Sequence, residues 1–536
     1  MKRYLSPTRS LTVGAFAAVI GSVSAADNRP NIILFMVDDM GWQDTEVPFG
    51  PDSTFQNRRY RTPNMSRLAD MGVKFTEAYA CAISSPSRCS LMSGMNAARH
   101  RVTNWTLEYD RQTDNRSPRL TLPSWNFNGI QPDTVRSAHN TKNATPITSL
   151  PKLLRESGYY TIHCGKAHFG ARTTPGADPL TMGFDVNIAG GCMGGPGSYL
   201  GTRNFGEGSP MQVPGLEKYH GQDIFLTEAL TIEALDAMQK PIAEGKPFYL
   251  YMSHYAVHVP LDEDTRFSGN YRGVYDGQFG TSLNATEVKY AALVEGMDKS
   301  LGDILDFLGE RPEVARNTII IFMSDNGGLS YPGRRQGVAD RDPNAPHRAG
   351  KGSAYLGGVH EPMMVYWPGV TRGGTVNDNR IMIEDFFPTI LEMAGVNGYS
   401  TVQTVDGISF VDLLKNPGTT RERTLIWHYP NLWDGPVNLG DAYSAYSAIM
   451  KGDYHLIYLW ETRERRLYNV REDIGEENDL ALRMPEKVAE LSRELTDSLK
   501  AYDAQRPSYP ATGELAPWPD EVSDASSVPA SGVVVK

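Results

Sequence analysis

Four continuous apolar runs, each followed at once by polar side chains, constrain the fold more than any other feature of the chain. The runs are "NIILFMVDD", "YYTIHCGKAH", "PFYLYMSHYAVH" and "TIIIFMSDN". Uninterrupted β-rich runs are typical of strands buried on both faces, as in a parallel sheet. Ligands of such sheets bind beyond the carboxyl ends of the strands, so we expect the polar residues at one edge. They are Asp38, Asp39, Lys166, His168, His254, His258, Asp325 and Asn326.

Helical patterns separate the apolar runs, and together they predict the fold class. Residues 285–309 place apolar side chains at helical spacing. Alternating strands and helices predict an α/β fold with a large, mostly parallel sheet flanked by helices. Residues 104–147 are polar and rich in Asn, Thr, Ser and Pro, which predicts loops.

Composition shifts divide the chain into four parts. Residues 1–25 carry Lys and Arg, then an apolar run and a small-residue end at Ala25, which is typical of a secretory signal peptide. Residues 26–420 hold the α/β pattern. Residues 421–505 predict a smaller α+β subdomain with a short antiparallel sheet, and residues 506–536 predict a loosely ordered tail rich in Pro, Ser and Ala.

The signal peptide predicts an exported protein, periplasmic or secreted after cleavage near Ala25. The alternative is a membrane anchor, for which the apolar run is short. No other stretch of the sequence is long and apolar enough to span a membrane. The net charge of −11 argues against a nucleic-acid partner, because nucleic-acid binding needs a basic surface. Export permits disulfides, so the four cysteines are either paired or small buried thiols: Cys81, Cys89, Cys164 and Cys192.

The stretch "CAISSPSRCSLMSG", residues 81–94, presents a possible nucleophile. A serine hydroxyl such as that of Ser84 is weak alone and needs a base, a metal or chemical conversion. The strand-end acids offer the metal, because three carboxylates and an amide oxygen are hard ligands suited to calcium or magnesium.

The motifs around these residues resemble, in order, those of the type I sulfatases. "SSPSRCSLMSG" matches the family signature of cysteine or serine, any residue, proline, serine or threonine, arginine, then leucine and a small residue before glycine. "NIILFMVDDMGW", "GKAHFG", "HYAVHVP", "MSDNGG" and "HRAGKGSAYLGG" are similar to the family's metal, histidine and lysine motifs. The resemblance spans about residues 30–480 and implies an alkaline-phosphatase-like fold and sulfate-ester hydrolysis.

The resemblance implies that Ser84 is oxidised to Cα-formylglycine. The hydrated aldehyde is a gem-diol. One hydroxyl, held on a divalent cation, attacks sulfur, and loss of the other proton expels sulfate and reforms the aldehyde. A plain serine would keep the sulfate. Serine rather than cysteine at this position implies maturation by a bacterial radical-type enzyme before export.

The family roles transfer to this chain position by position. The ligands of one calcium ion are Asp38, Asp39, modified Ser84, Asp325 and Asn326. Lys166 and Lys351 contact sulfate, and Arg88 supports and stabilises the diol. His168 takes the second diol proton, and His258 contacts sulfate and protonates the leaving oxygen. All-oxygen ligation argues against zinc.

Ala167 and Phe169 stand where tryptophan and leucine are usual in the family, and four later residues also depart from the common pattern. His347 replaces a frequent leucine, Leu356 a usual glutamate, His360 a usual arginine, and Met450 a frequent arginine. The changes at Leu356 and His360 suggest joint replacement of a Glu–Arg pair. They bear on substrate contacts and packing rather than on the core chemistry. Three further histidines carry no assigned role: His100, His163 and His254.

The expected substrate is a sulfated carbohydrate, with a galactose- or hexosamine-based saccharide as the first candidate. The stretch "WHYPNLWDG" offers Trp427, His428, Tyr429 and Trp433 as a wall for a sugar, since sugars bind amphipathic aromatic surfaces. The alternative is that these aromatic residues fill the boundary between the two domains.

Two other functions are compatible with the sequence. One is a hydrolase of the same superfamily that acts on phosphate or phosphonate monoesters, with the same fold and metal. The other is a non-catalytic protein that binds sulfated glycans, which requires that Ser84 is never oxidised.

Overall fold

The computed structural model describes residues 28–134, 141–276, 280–329, 344–433 and 440–522. The predicted signal peptide and the end of the predicted tail lie outside these ranges. The strands are β1 (Asn31–Val37), β2 (Val73–Tyr79), β3 (Ile130–Pro132), β4 (Thr145–Ile147), β5 (Tyr160–Gly165), β6 (Val186–Ile188), β7 (Phe248–Ser253), β8 (Tyr275–Asp276), β9 (Thr281–Ser282), β10 (Thr318–Ser324), β11 (His360–Tyr366), β12 (Thr375–Asn377), β13 (Ile381–Met382), β14 (Leu425–Tyr429), β15 (Tyr446–Lys451), β16 (Tyr454–Leu459) and β17 (Arg465–Asn469). The α-helices are α1 (Phe55–Arg59), α2 (Pro63–Met71), α3 (Ser84–Ser93), α4 (Ala97–His100), α5 (Leu150–Glu156), α6 (Leu226–Ala243), α7 (Ala285–Gly309), α8 (Pro312–Ala315), α9 (Leu356–Val359), α10 (Phe386–Met393), α11 (Val411–Lys415) and α12 (Pro485–Ala501).

The four predicted strands lie side by side at the centre of a sheet that has nine strands in the described residues. The order is β12-β2-β11-β10-β1-β7-β5-β6, and β13 also pairs with β2. β1 runs parallel to both β10 and β7, and β7 runs parallel to β5. β11 is antiparallel to both of its neighbours. The carboxyl ends of β10, β1, β7 and β5 therefore share one edge of the sheet.

Apolar side chains cover both faces of this sheet, which explains why the strand runs are continuous rather than alternating. Leu34 belongs to the hydrophobic cluster on one face and Phe35 to the cluster on the other. Helices α3, α5 and α10 pack on the first face, and α2, α6 and α7 on the second. α7 coincides with the predicted helix at 285–309 and begins with a capping box between Asn284 and Glu287. The three layers confirm the predicted α/β class.

A second, antiparallel sheet follows in the order β14-β15-β16-β17. Helix α12 packs on it through Val488, Leu491 and Leu495. The arrangement confirms the small C-terminal α+β unit that the sequence predicts. The exact domain boundaries, including the one at residue 420, stay predictions.

The expectation of a loosely ordered tail is wrong for residues 506–522. The ring of Trp518 lies 6.1 Å from that of Trp460, and the guanidinium of Arg506 lies 4.2 Å from the Trp518 ring centroid. Aromatic burial therefore ties this segment to the small sheet, although its composition is typical of a free tail.

Three smaller expectations concern the cysteines, the polar excursion (residues 104–147) and membrane-spanning helices. All four cysteines are buried and free, so the buried-thiol alternative holds. The described part of residues 104–147 is mostly loop, with β3 and β4 paired in parallel. Among the residues that the structure describes, no helix has the length and apolar character needed to cross a membrane.

Candidate active site

The predicted acids and Lys166 lie together at the carboxyl ends of three strands. Asp38 and Asp39 follow β1, Asp325 and Asn326 follow the neighbouring β10, and Lys166 follows β5. All five side chains are buried. The Lys166 ammonium donates to both carboxylate oxygens of Asp38, at 2.8 and 2.7 Å, across the intervening strand β7.

Ser84 is the first residue of helix α3, and it lies at the same point. Its side chain is 2% exposed, and every residue of α3 is buried. The hydroxyl oxygen accepts a hydrogen bond from Lys166 Nζ at 2.9 Å. It lies 3.2 Å from Asp38 Oδ1 and 3.0 Å from Asn326 Oδ1.

The oxygen atoms around Ser84 fit a cation. Asn326 Nδ2 donates to Asp39 Oδ1 and to the Gly327 carbonyl, so its oxygen faces Ser84. The Ser84 hydroxyl has one hydrogen to share between two oxygens that only accept. Lys166 also donates to Asp38 Oδ1, so the Ser84 hydrogen can go to Asn326 Oδ1. The close approach of Ser84 Oγ to Asp38 Oδ1 is an arrangement of oxygens that a hard cation would also bind. Three carboxylates, an amide oxygen and a hydroxyl form a donor set of that kind.

Burial and the lysines set the ionisation of the acids. The pKa of Asp38 rises to about 7, because burial and the carboxylates of Asp325 and Asp39 outweigh Lys166. Burial also acts on Asp39, but the Lys351 ammonium 2.7 Å away holds the pKa of Asp39 below its usual value. Burial lowers the pKa of Lys166 to about 8. These opposed charges let acids and lysines share one buried point.

Arg88 links the helix that carries Ser84 to the strand ends. Its Nε donates to Asp325 Oδ2 at 2.8 Å, and one terminal nitrogen donates to the Lys166 carbonyl and to Ser253 Oγ. The other terminal nitrogen, Nη2, is buried, has no hydrogen-bond partner among the described residues, and lies 3.9 Å from Asp38 Oδ1. A fully buried guanidinium with these partners fixes Ser84 relative to the acids.

The two predicted catalytic histidines present one nitrogen each to the site. His168 Nε2 donates to the Thr106 carbonyl at 2.7 Å, which leaves Nδ1 as a buried acceptor that no described residue contacts as a donor. His258 Nδ1 donates to the Val259 carbonyl at 2.7 Å, and its Nε2 lies 3.6 Å from Asp39 Oδ2. Burial, with Lys166 beside it, lowers the pKa of His168 well below the usual value, so this imidazole is neutral and its Nδ1 carries a lone pair.

A cavity of about 580 Å³ opens onto this cluster. Ser84, His168, His258 and Lys351 line its reactive end. A glycine run that sequence reasoning missed lets the backbone approach both histidines. A Cβ at Gly194 would lie 2.8 Å from His168 Cε1, and one at Gly195 would lie 2.6 Å from His258 Nδ1. The other lining residues include Trp105, Pro196, Met211, Pro260, Leu329 and Trp433.

Of the four residues predicted to form an aromatic wall, one lines the cavity. Trp433 lines the cavity, but Trp427, His428 and Tyr429 are buried in strand β14. Trp427 Nε1 donates to the Ala80 carbonyl, and His428 bonds with Ser447. Trp427 and Tyr429 belong to the hydrophobic cluster on the large sheet, so the packing alternative holds for them. His428 is buried on the other face of β14, where its Nε2 donates to the Gln505 carbonyl at 2.9 Å.

Three of the residues that depart from the family pattern take part in two buried contacts. His360 Nδ1 and His347 Nε2 are 2.9 Å apart, and both rings stack on Trp42. The Leu356 amide donates to Glu476 Oε2 at 2.7 Å, so a carboxylate from the C-terminal region lies beside position 356. His360 and Leu356 therefore make separate contacts in this chain, and their joint replacement of a Glu–Arg pair stays a prediction. Met450 is buried in β15.

The histidines without an assigned role make contacts within the core. His254 Nε2 bonds with Ser300 Oγ at 2.8 Å, and His100 Nε2 with Ser90 Oγ at 3.0 Å. His163 is buried among the rings of Phe169, Phe184 and Tyr251. These contacts are those of structural residues.

Comparison with known proteins identifies the family of this chain. The family model described as Sulfatase matches residues 30–396, and that of the C-terminal region of N-sulphoglucosamine sulphohydrolase matches residues 351–505. A sulfatase of Formosa agariphila is 27% identical over 89% of this chain and 89% of its own. The human N-acetylgalactosamine-6-sulfatase is 30% identical over 76% of this chain and 69% of its own.

A solved structure shares the fold over nearly the whole chain. Ps i-CgsB in complex with k-i-k-neocarrahexaose aligns with a TM-score of 0.64 at 24% identity. The alignment covers 89% of this chain and 94% of that chain. With the family model covering more than half of its residues, this chain belongs to the sulfatase family, and it is a sulfatase enzyme.

Proposed function

We propose that this sulfatase removes sulfate from a sulfated carbohydrate by means of formylglycine made from Ser84 and one calcium ion. The observation that carries the proposal is the position of the Ser84 hydroxyl. It is buried at the reactive end of the cavity, between Asp38 and Asn326, and accepts a hydrogen bond from Lys166.

The proposed calcium ligands are the converging oxygens described above: Asp38, Asp39, modified Ser84, Asp325 and Asn326. A cation held by these oxygens would neutralise sulfate charge, and the hydrated aldehyde would supply a hydroxyl nucleophile and a route for sulfate to leave. The charges of Lys166, Lys351 and Arg88 match those of the three carboxylates. The site therefore accepts a cation and an anionic ester together without a large charge imbalance.

The chain's own side chains bind the ester and move protons. Lys166 and Lys351 bind the sulfate oxygens. His168 Nδ1 accepts the proton whose loss expels sulfate, and the Thr106 carbonyl fixes the required tautomer. His258 Nε2 protonates the leaving oxygen, and a bound sulfate anion beside the ring favours its charged form. Arg88 orients the helix that carries the nucleophile.

The proposed substrate class rests on the relatives and on the cavity. One relative is named for N-acetylgalactosamine 6-sulfate hydrolysis, and one structural neighbour holds a neocarrahexaose. A cavity of about 580 Å³ with aromatic and polar lining is suited to a small organic ligand such as a sugar. The proposed export through the signal peptide places the enzyme where such glycans arrive.

We expect sulfate release from at least one sulfated saccharide. The panel consists of desalted oligosaccharides of carrageenan, agar, ulvan, fucoidan, heparin and chondroitin type, with p-nitrophenyl sulfate, a sterol sulfate and p-nitrophenyl phosphate as comparisons. Released sulfate and phosphate are measured by ion chromatography. Turnover of the aryl or sterol sulfate with no release from any saccharide contradicts the carbohydrate assignment, and preferred phosphate release contradicts sulfatase specificity.

We expect the purified enzyme to contain one calcium ion per chain. Asp39→Asn removes one of the carboxylates, so its calcium content should fall to background. Its melting temperature should no longer rise when calcium is added, because only a bound ligand stabilises the folded state. Metal analysis and thermal unfolding measure both effects.

Asp298→Asn is the matched control for calcium binding. This buried aspartate accepts hydrogen bonds from Asn64 and Met65, away from the site, and its loss should leave the calcium content unchanged. Wild-type enzyme that is active and contains zinc in place of calcium, or no metal at all, would contradict the proposal.

A further inference from the structure

Two tryptophans from distant parts of the chain line the same cavity as Ser84. Trp105 lies in the polar excursion before β3, and Trp433 follows β14 of the small sheet. Both side chains are partly exposed. Trp433 is close to the reactive end, because a Cβ at Gly352, the neighbour of Lys351, would lie 2.6 Å from its ring.

Residues 113–115 connect the two tryptophan segments, and we call them the strap. Thr113 Oγ1 donates to the Trp105 carbonyl at 2.6 Å. At the other end, Asn115 Nδ2 donates to the Trp433 carbonyl at 2.8 Å, and the Asn115 amide donates to the Leu432 carbonyl at 2.9 Å. The strap thus bonds to the backbone of both segments.

Asp114 is the centre of the strap. Its Oδ1 accepts hydrogen bonds from Asn104 and Asn431, both at 2.9 Å, and these residues precede Trp105 and Trp433 in their segments. Its Oδ2 accepts from Trp125 Nε1 at 2.6 Å. One carboxylate therefore sets the relative position of two segments that share no secondary structure.

The same contacts reach the catalytic machinery. Asn104 Oδ1 accepts from the Trp105 amide at 2.9 Å. The Thr106 amide donates to Ser85 Oγ at 3.1 Å, and the Thr106 carbonyl accepts from His168 Nε2. The Trp105 segment is thus held both by the strap and by residues next to Ser84, so the indole has a defined position relative to the nucleophile.

We propose that Trp105 and Trp433 form the binding site for the pyranose ring that carries the sulfate, and that Asp114 is the positioning residue that holds them. The inference rests on the proposed carbohydrate substrate. Apolar C–H faces of a pyranose pack on indole rings, while its hydroxyls stay available to polar groups such as those of Ser209 and His258. A wall fixed before binding loses little side-chain entropy when the sugar arrives.

The test measures binding and turnover of the saccharide that the wild-type enzyme hydrolyses best in the panel above. Trp433→Ala and Trp105→Ala should each raise its KM about tenfold, the loss expected for one aromatic contact. Trp433→Phe should recover most of the difference. The same saccharide should bind the Ser84→Ala, Trp433→Ala double variant about tenfold more weakly than Ser84→Ala alone, as measured by calorimetry.

Asp114→Asn tests the positioning role. The asparagine keeps an oxygen for Asn104 and Asn431 but turns an NH₂ group toward the Trp125 N–H, so the strap loses its fixed geometry. The saccharide KM should rise severalfold, and more than the KM for p-nitrophenyl sulfate. Asp298→Asn, a buried aspartate with comparable amide donors, is the control and should not change the ratio of the two KM values.

The outcomes separate the inference from the proposed function. Saccharide turnover by the wild-type enzyme with unchanged KM in both alanine variants overturns the tryptophan site. Raised KM in those variants with an unchanged KM ratio in Asp114→Asn overturns the positioning role. Turnover of only the sterol sulfate overturns the proposed function and the pyranose ligand together.

Discussion

Ser84→Ala is expected to abolish sulfate release, with a loss of at least about 10⁴-fold, because the variant lacks the nucleophile itself. In the active wild-type enzyme, peptide mass spectrometry should find residue 84 lighter than serine by two hydrogens. The two measurements belong together, since an intact serine would trap sulfate and stop after one turnover.

Ser90→Ala is the matched control for this loss. Ser90 lies on the same buried helix, outside the signature positions, and its hydroxyl bonds with His100 rather than with the acids. Its removal should cost about 1 kcal/mol of stability and leave the modification at Ser84 intact. A fully active protein with unmodified Ser84 would contradict the proposed mechanism.

The second large effect is expected at the two histidines, and it should differ between them. His258→Ala should slow hydrolysis of a saccharide sulfate by about 10²–10⁴-fold and that of p-nitrophenyl sulfate far less, since a nitrophenolate leaves without a proton. His168→Ala should slow hydrolysis of both substrates, because the proton whose loss expels sulfate has no acceptor. The variant should accumulate as a sulfated protein that is heavier than its hydrated-aldehyde form by one SO₃ group.

His254→Gln is the control for this comparison. The residue lies four positions before His258 but bonds with Ser300 inside the core, so any loss should be equal for the two substrates. Steady-state rates and intact-protein mass spectrometry supply the measurements. Equal losses on both substrates for His258→Ala would rule out its acid role.

The sheet and the acid cluster could be predicted from the sequence because both depend on local patterns. A continuous apolar run indicates a buried parallel strand, and polar residues directly after it must lie at its carboxyl end. Asp38 and Asp325 meet because β1 and β10 are neighbours. The sequence itself does not state this adjacency; the family resemblance supplied it.

The rest of the cavity depends on contacts that have no local pattern. Trp105 and Asp114 lie in a polar stretch for which the sequence predicts only loops. Their role in the cavity depends on contacts with the segment of Trp433, which is distant in the chain. At Trp427 the sequence left two alternatives open, a wall for a sugar and packing between the two domains. Strand β14 is buried along its whole length, and burial of this kind depends on the partner sheet.

The burial of Ser84 bears on whether its modification precedes or follows folding. Every residue of α3 is buried and Ser84 lies at the inner end of the cavity, so a modifying enzyme that has to bind the segment around Ser84 would act before the chain folds. The modification that we propose must then compete with folding, and a molecule that folds first is locked permanently in an inactive state. The active fraction of a preparation therefore depends on the relative rates of modification and folding during synthesis. Refolding the purified protein in vitro should not increase this fraction.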